Sequence, residues 1–165
     1  MPRGAASLPG ARRQARARDP ARGARGQPRG RAVSEELLVL DSSVGVKWVK
    51  PEEGSDEALA LLLSHAAGEV TLAVADVFVY EVLDVTRRTY GRPRAVALWE
   101  RLADQGPLVV PTDPDSFPDI LEMSRRLDCS LYDAAAPALA ARYGGTLVSA
   151  DARAHAGFPG VRLIG

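Results

Sequence analysis

The chain has 165 residues, 25% of them charged, with a formal net charge of zero and one cysteine. That length bounds it to one domain plus an appendage. The lone Cys129 excludes an internal disulfide or a multi-cysteine zinc site, and no apolar run approaches the roughly 18 residues of a membrane span, which points to a cytoplasmic protein. Zero net charge conceals an asymmetry: residues 1–32 carry nine Arg and one acid (Asp19), a net of +8, and residues 33–165 a net of −8.

Residues 1–34 form an Arg/Gly/Pro/Ala-rich tail whose only large apolar side chains before residue 33 are Met1 and Leu8. Such a segment buries too little apolar surface to offset its ordering entropy, so it is expected to be disordered. Its arginines are spread throughout and no apolar region follows them, which excludes a secretory signal. Two readings stay open: a phosphate-binding tail, or upstream coding sequence appended by a wrongly chosen start. In either case, deleting residues 1–32 should leave the thermal midpoint of the remaining domain nearly unchanged. A genuine RNA-binding tail should add weaker RNA affinity and a shallower salt dependence on deletion, and a large fall in midpoint would refute both readings.

Residues 35–165 are expected to form one domain. Leu37–Leu40 reads as a short buried strand ended by Asp41. Ser43–Val49 reads as a helical turn or two closed by Pro51. Ser55 is the expected cap of a helix that presents Leu59, Leu62 and Leu63 on one face and ends at Gly68. Val70–Ala75 is a second buried strand, with Asp76 the expected N-cap of a helix reaching Tyr90. Gly91-Arg92-Pro93 breaks that helix, and Arg94–Asp104 forms the next. Leu108–Pro111 reads as a third buried strand. Asp115 or Ser116 caps a helix to Leu127, and Ser130 caps another that Gly144-Gly145 ends. Thr146–Ser149 is a fourth strand and Val161–Ile164 a fifth, at the edge. Strands alternating with helices in this way imply a parallel sheet covered on both faces.

Three of these strands lead into acids: Asp41 after the first, Glu81 within the helix after the second, and Asp151 directly after the fourth. Asp133 opens the Ala-rich helix. Chemistry in an open α/β sheet gathers outside the carboxyl ends of its strands. Four carboxylates converging there repel one another unless divalent cations neutralise them, which points to Mg²⁺ or Mn²⁺ acting on a phosphodiester. Each acid also has a plainer reading. Asp133 with Ser130 fits a weak capping box, Asp151 caps a turn, Glu81 is an exposed helix position, and Asp41 ends a strand. Asp84, three residues after Glu81, competes for its role.

Other chemistries lack their residues. Ser43 occupies the place where a haloacid-dehalogenase-like phosphatase needs a second Asp. The only lysines, Lys47 and Lys50, come too early for a receiver domain. No GxxxxGK[ST], GxGxxG or nucleophile elbow is present. His65 and His155 are too isolated for a zinc site and read as surface residues. Trp48 reads as a core or interface packer.

The motifs Val39-Leu40-Asp41-Ser42-Ser43-Val44, Phe78-Val79-Tyr80-Glu81-Val82, Leu131-Tyr132-Asp133-Ala134-Ala135 and Leu147-Val148-Ser149-Ala150-Asp151 occur in order. Together they resemble PIN-domain ribonucleases, most of all the VapC-type toxins of bacterial toxin–antitoxin pairs. The resemblance covers about residues 37–164. It implies a PIN-like three-layer α/β/α fold with a parallel sheet of four to five strands. It implies a Mg²⁺- or Mn²⁺-dependent endoribonuclease with Asp41 and Asp133 as principal ligands, completed by Glu81 and Asp151. Ser43 and Ser149 would orient carboxylates or water. It further implies an antitoxin protein partner, a homodimer and an RNA substrate, with Lys47, Lys50, Arg87, Arg88, Arg92 and Arg94 as a phosphate track. The alternative is a PIN-like domain whose cleavage has decayed, acting as an interaction module; a phosphatase at the sheet edge would instead act on small esters. Pro137 departs from the family, which tends to have a large residue there. It removes the helical partner of the Asp133 carbonyl, an interior cost of about 3 kcal/mol, and a kink there would re-aim Asp133.

Overall fold

The computed structural model describes residues 36–165; the expectations for residues 1–34 lie outside the described residues. The elements run β1 (Glu36–Leu40), α1 (Ser42–Lys47), α2 (Ser55–Ala66), β2 (Val70–Ala75), α3 (Asp76–Tyr90), α4 (Arg92–Gln105), β3 (Leu108–Val110), α5 (Phe117–Leu127), α6 (Leu131–Tyr143), β4 (Thr146–Ser149), α7 (Ala152–His155) and β5 (Arg162–Leu163). The five strands form one parallel sheet in the order β3-β2-β1-β4-β5.

The period-2 alternation of strand side chains divides the apolar residues into two cores. Leu38, Leu40, Leu72 and Val74 face one layer, where they pack with Val44, Leu61, Phe78 and Val82 from α1, α2 and α3. Val39, Ala73, Ala75 and Leu147 face the other, against Ile120 and Met123 of α5 and the alanines of α6. Those alanines let α6 lie close to the sheet. Trp48 packs edge-on against Phe78, with ring centroids 5.7 Å apart, and its Nε1 donates to the Ala58 carbonyl at 2.8 Å. The three-layer α/β/α architecture with a parallel sheet is therefore present as expected.

Several local expectations need correction. β3 is an edge strand rather than a buried one: Leu108 and Val109 are exposed, because only β2 pairs with it. Ser55 is the first residue of α2, and the cap position belongs to Gly54 in the left-handed region at φ 79°. Asp76 lies inside the first turn of α3, and its carboxylate reaches across to accept from the Thr112 amide (3.0 Å) and hydroxyl (2.9 Å) beyond β3. Neither Asp115 nor Ser116 supplies the α5 capping bond; Asp113 accepts from both of their amides instead. Ser130 does cap α6, accepting from the Asp133 amide at 3.1 Å, and Gly144 ends it at φ 66°.

Candidate active site

Strands β1 and β4 are neighbours, yet the chain leaves β1 toward β2 on one side and reaches β4 on the other. That reversal of direction is the place where an open α/β sheet leaves a crevice beyond its strand ends. Asp41 stands at the end of β1 and Asp151 just past β4, and the Asp41 amide donates to the Val148 carbonyl at 3.0 Å. A cleft of about 450 Å³ opens there, lined by Asp41, Ser43, Glu81, Asp133 and Asp151 together with Tyr80, Asp84, Arg88 and Tyr132. All four acids of the sequence analysis thus share one cavity.

Three of the acids are anchored through one carboxylate oxygen and free through the other, and Glu81 is free through both. Asp41, a buried N-cap of α1, accepts through Oδ2 from the Ser43 amide (3.1 Å) and from the Ser43 hydroxyl. Its Oδ1 has no protein partner among the described residues. Asp133 accepts through Oδ2 from the Ser130 hydroxyl at 2.7 Å. Asp151 caps α7, accepting through Oδ1 from the Ala154 amide at 3.0 Å. Glu81, in the second turn of α3, makes no hydrogen bond or ion pair among the described residues. Every acid therefore keeps at least one carboxylate oxygen uncommitted in the cleft. Unpaired hard oxygen donors of this kind suit Mg²⁺ or Mn²⁺. Among the described residues, however, no three carboxylate, imidazole or thiol groups are grouped as a ready metal cage. The donors fit a divalent ion in kind and location, and the side chains must draw together to enclose one.

Asp84 lines the same cleft but is engaged differently from Glu81. It is ion-paired with Arg87 at 2.7 Å and with Arg88, and the Arg87 hydrogen bond holds its carboxyl below the usual range. The basic residues named from the sequence are distributed as follows. Lys47, with its side chain 8% exposed, pairs with Glu52 at 3.2 Å and donates to the Glu53 carbonyl. Lys50 pairs with Glu52 at 3.6 Å. Arg88 borders the acidic cleft, Arg94 borders a second cleft beside Trp48, and Arg92 is exposed. Burial pushes the Cys129 thiol up, and the Asp133 and Asp128 charges add to that, an environment that disfavours the thiolate.

The residue that sequence reasoning placed wrongly is His155. It is completely buried, not a surface residue. Its Nδ1 lies 2.8 Å from the Ser149 hydroxyl and its Nε2 lies 2.8 Å from the Asp133 carbonyl. Ser149 in turn accepts from the Asp151 amide at 2.9 Å and lies 3.4 Å from Asp41 Oδ2. Ser43 Oγ, besides meeting Asp41, accepts from the Ala150 amide at 2.9 Å. The two serines and the imidazole thus stitch the ends of β1, β4 and α6 together.

A family model of the PIN domain matches residues 38–157. The chain belongs to the PIN domain family. Its matched span contains all four acids, both serines and His155. No curated protein matches it by sequence. Among solved structures this PIN domain is similar to VapC20 of Mycobacterium tuberculosis, a sarcin–ricin loop cleaving toxin. The TM-score there is 0.60 at 20% identity, covering 76% of this chain and 98% of that one. It is similar to a toxin–antitoxin complex from Klebsiella pneumoniae (TM-score 0.59, 18% identity, 76% and 95% covered). It is also similar to VapBC2 from Rickettsia felis bound to a fragment of promoter DNA (TM-score 0.59, 14% identity, 77% and 96% covered). These likenesses are of fold. No helix among the described residues is long and apolar enough to cross a membrane.

Proposed function

We propose that this PIN domain is a Mg²⁺- or Mn²⁺-dependent endoribonuclease, acting in the cytoplasm as the toxin of a toxin–antitoxin pair. The observation that carries the reading is the single cleft in which four carboxylates from four separate elements each keep an oxygen free. Unpaired like charges so arranged cost stability in the free protein, a cost that a bound cation offsets. Asp41 and Asp133 are the principal holders of the ion, with Glu81 and Asp151 completing the set. When bound, a divalent ion supplies activation of a water molecule and charge neutralisation at the leaving oxygen. The chain's own part is to aim the donors: Ser43 fixes Oδ2 of Asp41 and leaves Oδ1 toward the cleft, and Ser130 does the same for Asp133. Arg88 at the cleft border, with Arg87, Arg92 and Arg94 further out, is positioned to meet the phosphate backbone of RNA that the acidic core otherwise repels.

An antitoxin protein is the proposed partner, and a homodimer the proposed assembly. A second cleft of about 370 Å³, lined by Trp48, Tyr90, Arg94, Leu98 and Arg101, combines apolar rings with cations. It suits a segment of an antitoxin carrying apolar and acidic side chains. The alternative is a decayed domain that binds partners without cleaving.

Incubating the purified protein with structured and unstructured RNAs, with Mn²⁺, Mg²⁺ or EDTA, separates the readings. Cleavage with either ion and none with EDTA is expected. RNA left intact together with no calorimetric Mn²⁺ binding would establish the decayed module, and phosphate release from small esters alone would establish a phosphatase.

A further inference from the structure

Pro137 sits inside α6, fully buried. In an α-helix the amide at that position would donate to the carbonyl four residues back, that of Asp133, and proline has no amide hydrogen. A buried carbonyl without a donor is costly, and such groups are almost always paired. Here the replacement comes from a different element: Nε2 of His155 on α7, 2.8 Å from the Asp133 oxygen. A carbonyl only accepts, so Nε2 carries the hydrogen. In the neutral ring Nδ1 is then the acceptor, and the hydroxyl of Ser149, 2.8 Å away, must donate to it. Ser149 has one proton. Committed to His155, it is unavailable to Asp41 Oδ2 at 3.4 Å, while the oxygen still receives the Asp151 amide at 2.9 Å.

We propose that His155 is a positioning residue matched to Pro137. It supplies the donor that the proline removes from the Asp133 carbonyl, and it holds the Ser149 proton away from Asp41 while Ser149 fixes the backbone of Asp151. One buried ring thereby helps place Asp133 and Asp151 and leaves Asp41 Oδ2 to Ser43. The functional half of this inference rests on the proposed metal-dependent cleavage; the hydrogen-bond half does not.

The pairing gives a test that a merely structural histidine would not meet. His155→Phe keeps the ring volume without either nitrogen, and His155→Gln keeps a donor. Removing an outer partner of a metal ligand typically costs 10- to 100-fold in affinity or activity. Calorimetric Mn²⁺ affinity is therefore expected to fall about tenfold in His155→Phe and to stay within about threefold of wild type in His155→Gln. Pro137→Ala restores an amide to the Asp133 carbonyl, so Pro137→Ala/His155→Phe should recover part of the loss in both Mn²⁺ affinity and thermal midpoint. In ¹⁵N-histidine spectra of the wild-type protein, assigned by their absence in His155→Gln, the ring should show hydrogen on Nε2 and none on Nδ1. Wild-type Mn²⁺ affinity in His155→Phe, no recovery in the double variant, or hydrogen on Nδ1 alone would each overturn the proposal. If His155→Phe does not fold, the wild-type tautomer decides, together with whether the double variant regains the fold. If the wild-type protein binds Mn²⁺ in this pattern yet cleaves no RNA, the nuclease reading fails and this one stands. If it cleaves RNA and His155→Phe cleaves equally well with equal Mn²⁺ affinity, the positions are reversed. Should the wild-type protein bind no Mn²⁺, the metal reading fails, and the tautomer and the recovery of thermal midpoint decide the Pro137–His155 link.

Discussion

Asp41→Asn is expected to reduce RNA cleavage by at least about a hundredfold, since a metal ion in such a site contributes several kcal/mol of charge stabilisation and each 1.4 kcal/mol is tenfold in rate. The fold should survive. Asp41 caps α1 by accepting from the Ser43 amide, and asparagine caps as well as aspartate does. One of four clustered negative charges disappears, so the thermal midpoint in EDTA should hold or rise. Asp41→Ala, which loses the cap, should instead cost about 1 kcal/mol. Near wild-type cleavage by purified Asp41→Asn would exclude Asp41 from the chemistry and with it the proposed site.

Gly45→Val should cost both stability and activity. Gly45 lies where α1 crosses α3, and a Cβ built there would stand 2.4 Å from Phe78 Cζ and 2.6 Å from Val82 Cγ2. Both neighbours belong to the fully buried core. Overpacking of this kind costs typically 1–3 kcal/mol, and at about 4 °C per kcal/mol for a domain of this size the midpoint should fall by roughly 4–12 °C. Cleavage should fall as well, because α1 follows Asp41 and α3 carries Glu81, and wedging the helices apart separates the two acids. Phe78→Leu in the Gly45→Val background should return part of the stability, as expected for coupled neighbours. Equal midpoints for Gly45→Val and wild type, measured by calorimetry, would show that the crossing has room to spare.

The strands that build the site were legible because each is a short apolar run closed by an acid or by a serine next to one. Their burial on two faces follows from strict alternation, as in Leu38-Val39-Leu40 against Leu72-Ala73-Val74. The capping side chains named from the sequence find other partners. Ser55, Asp76 and Ser116 all have side chains that cap well in isolation, yet Ser55 and Ser116, the latter at the cap position itself, turn back to Glu52 and Asp113 in the preceding turns, and Asp76 is diverted by the distant Thr112. β3 was read as buried because Leu108-Val109-Val110 is apolar, whereas its position at the sheet edge is set by topology. Pro137 was legible as a missing amide in α6. The answer to it was not, since His155 lies 22 residues from Asp133, with no spacing that ties the two. Nor does a lone histidine between Ala154 and Ala156 advertise that the ring is buried.

The order of the strands also governs when the site comes into being during folding. β1, near the start of the domain, lies between β2 and β4, and Leu38 is paired with Thr146 across more than a hundred intervening residues. Pairings of such long sequence separation carry a large loop-closure entropy and form late. Until β4 docks, Asp151 and Ser149 have no fixed place beside Asp41, and α6 has no imidazole to meet its orphan carbonyl. A growing or half-folded chain can hold β1, β2 and α3 in native form and still present only Asp41 and Glu81. Assembly of the cleft is thus a late step of folding, one that waits on the docking of β4 beside β1.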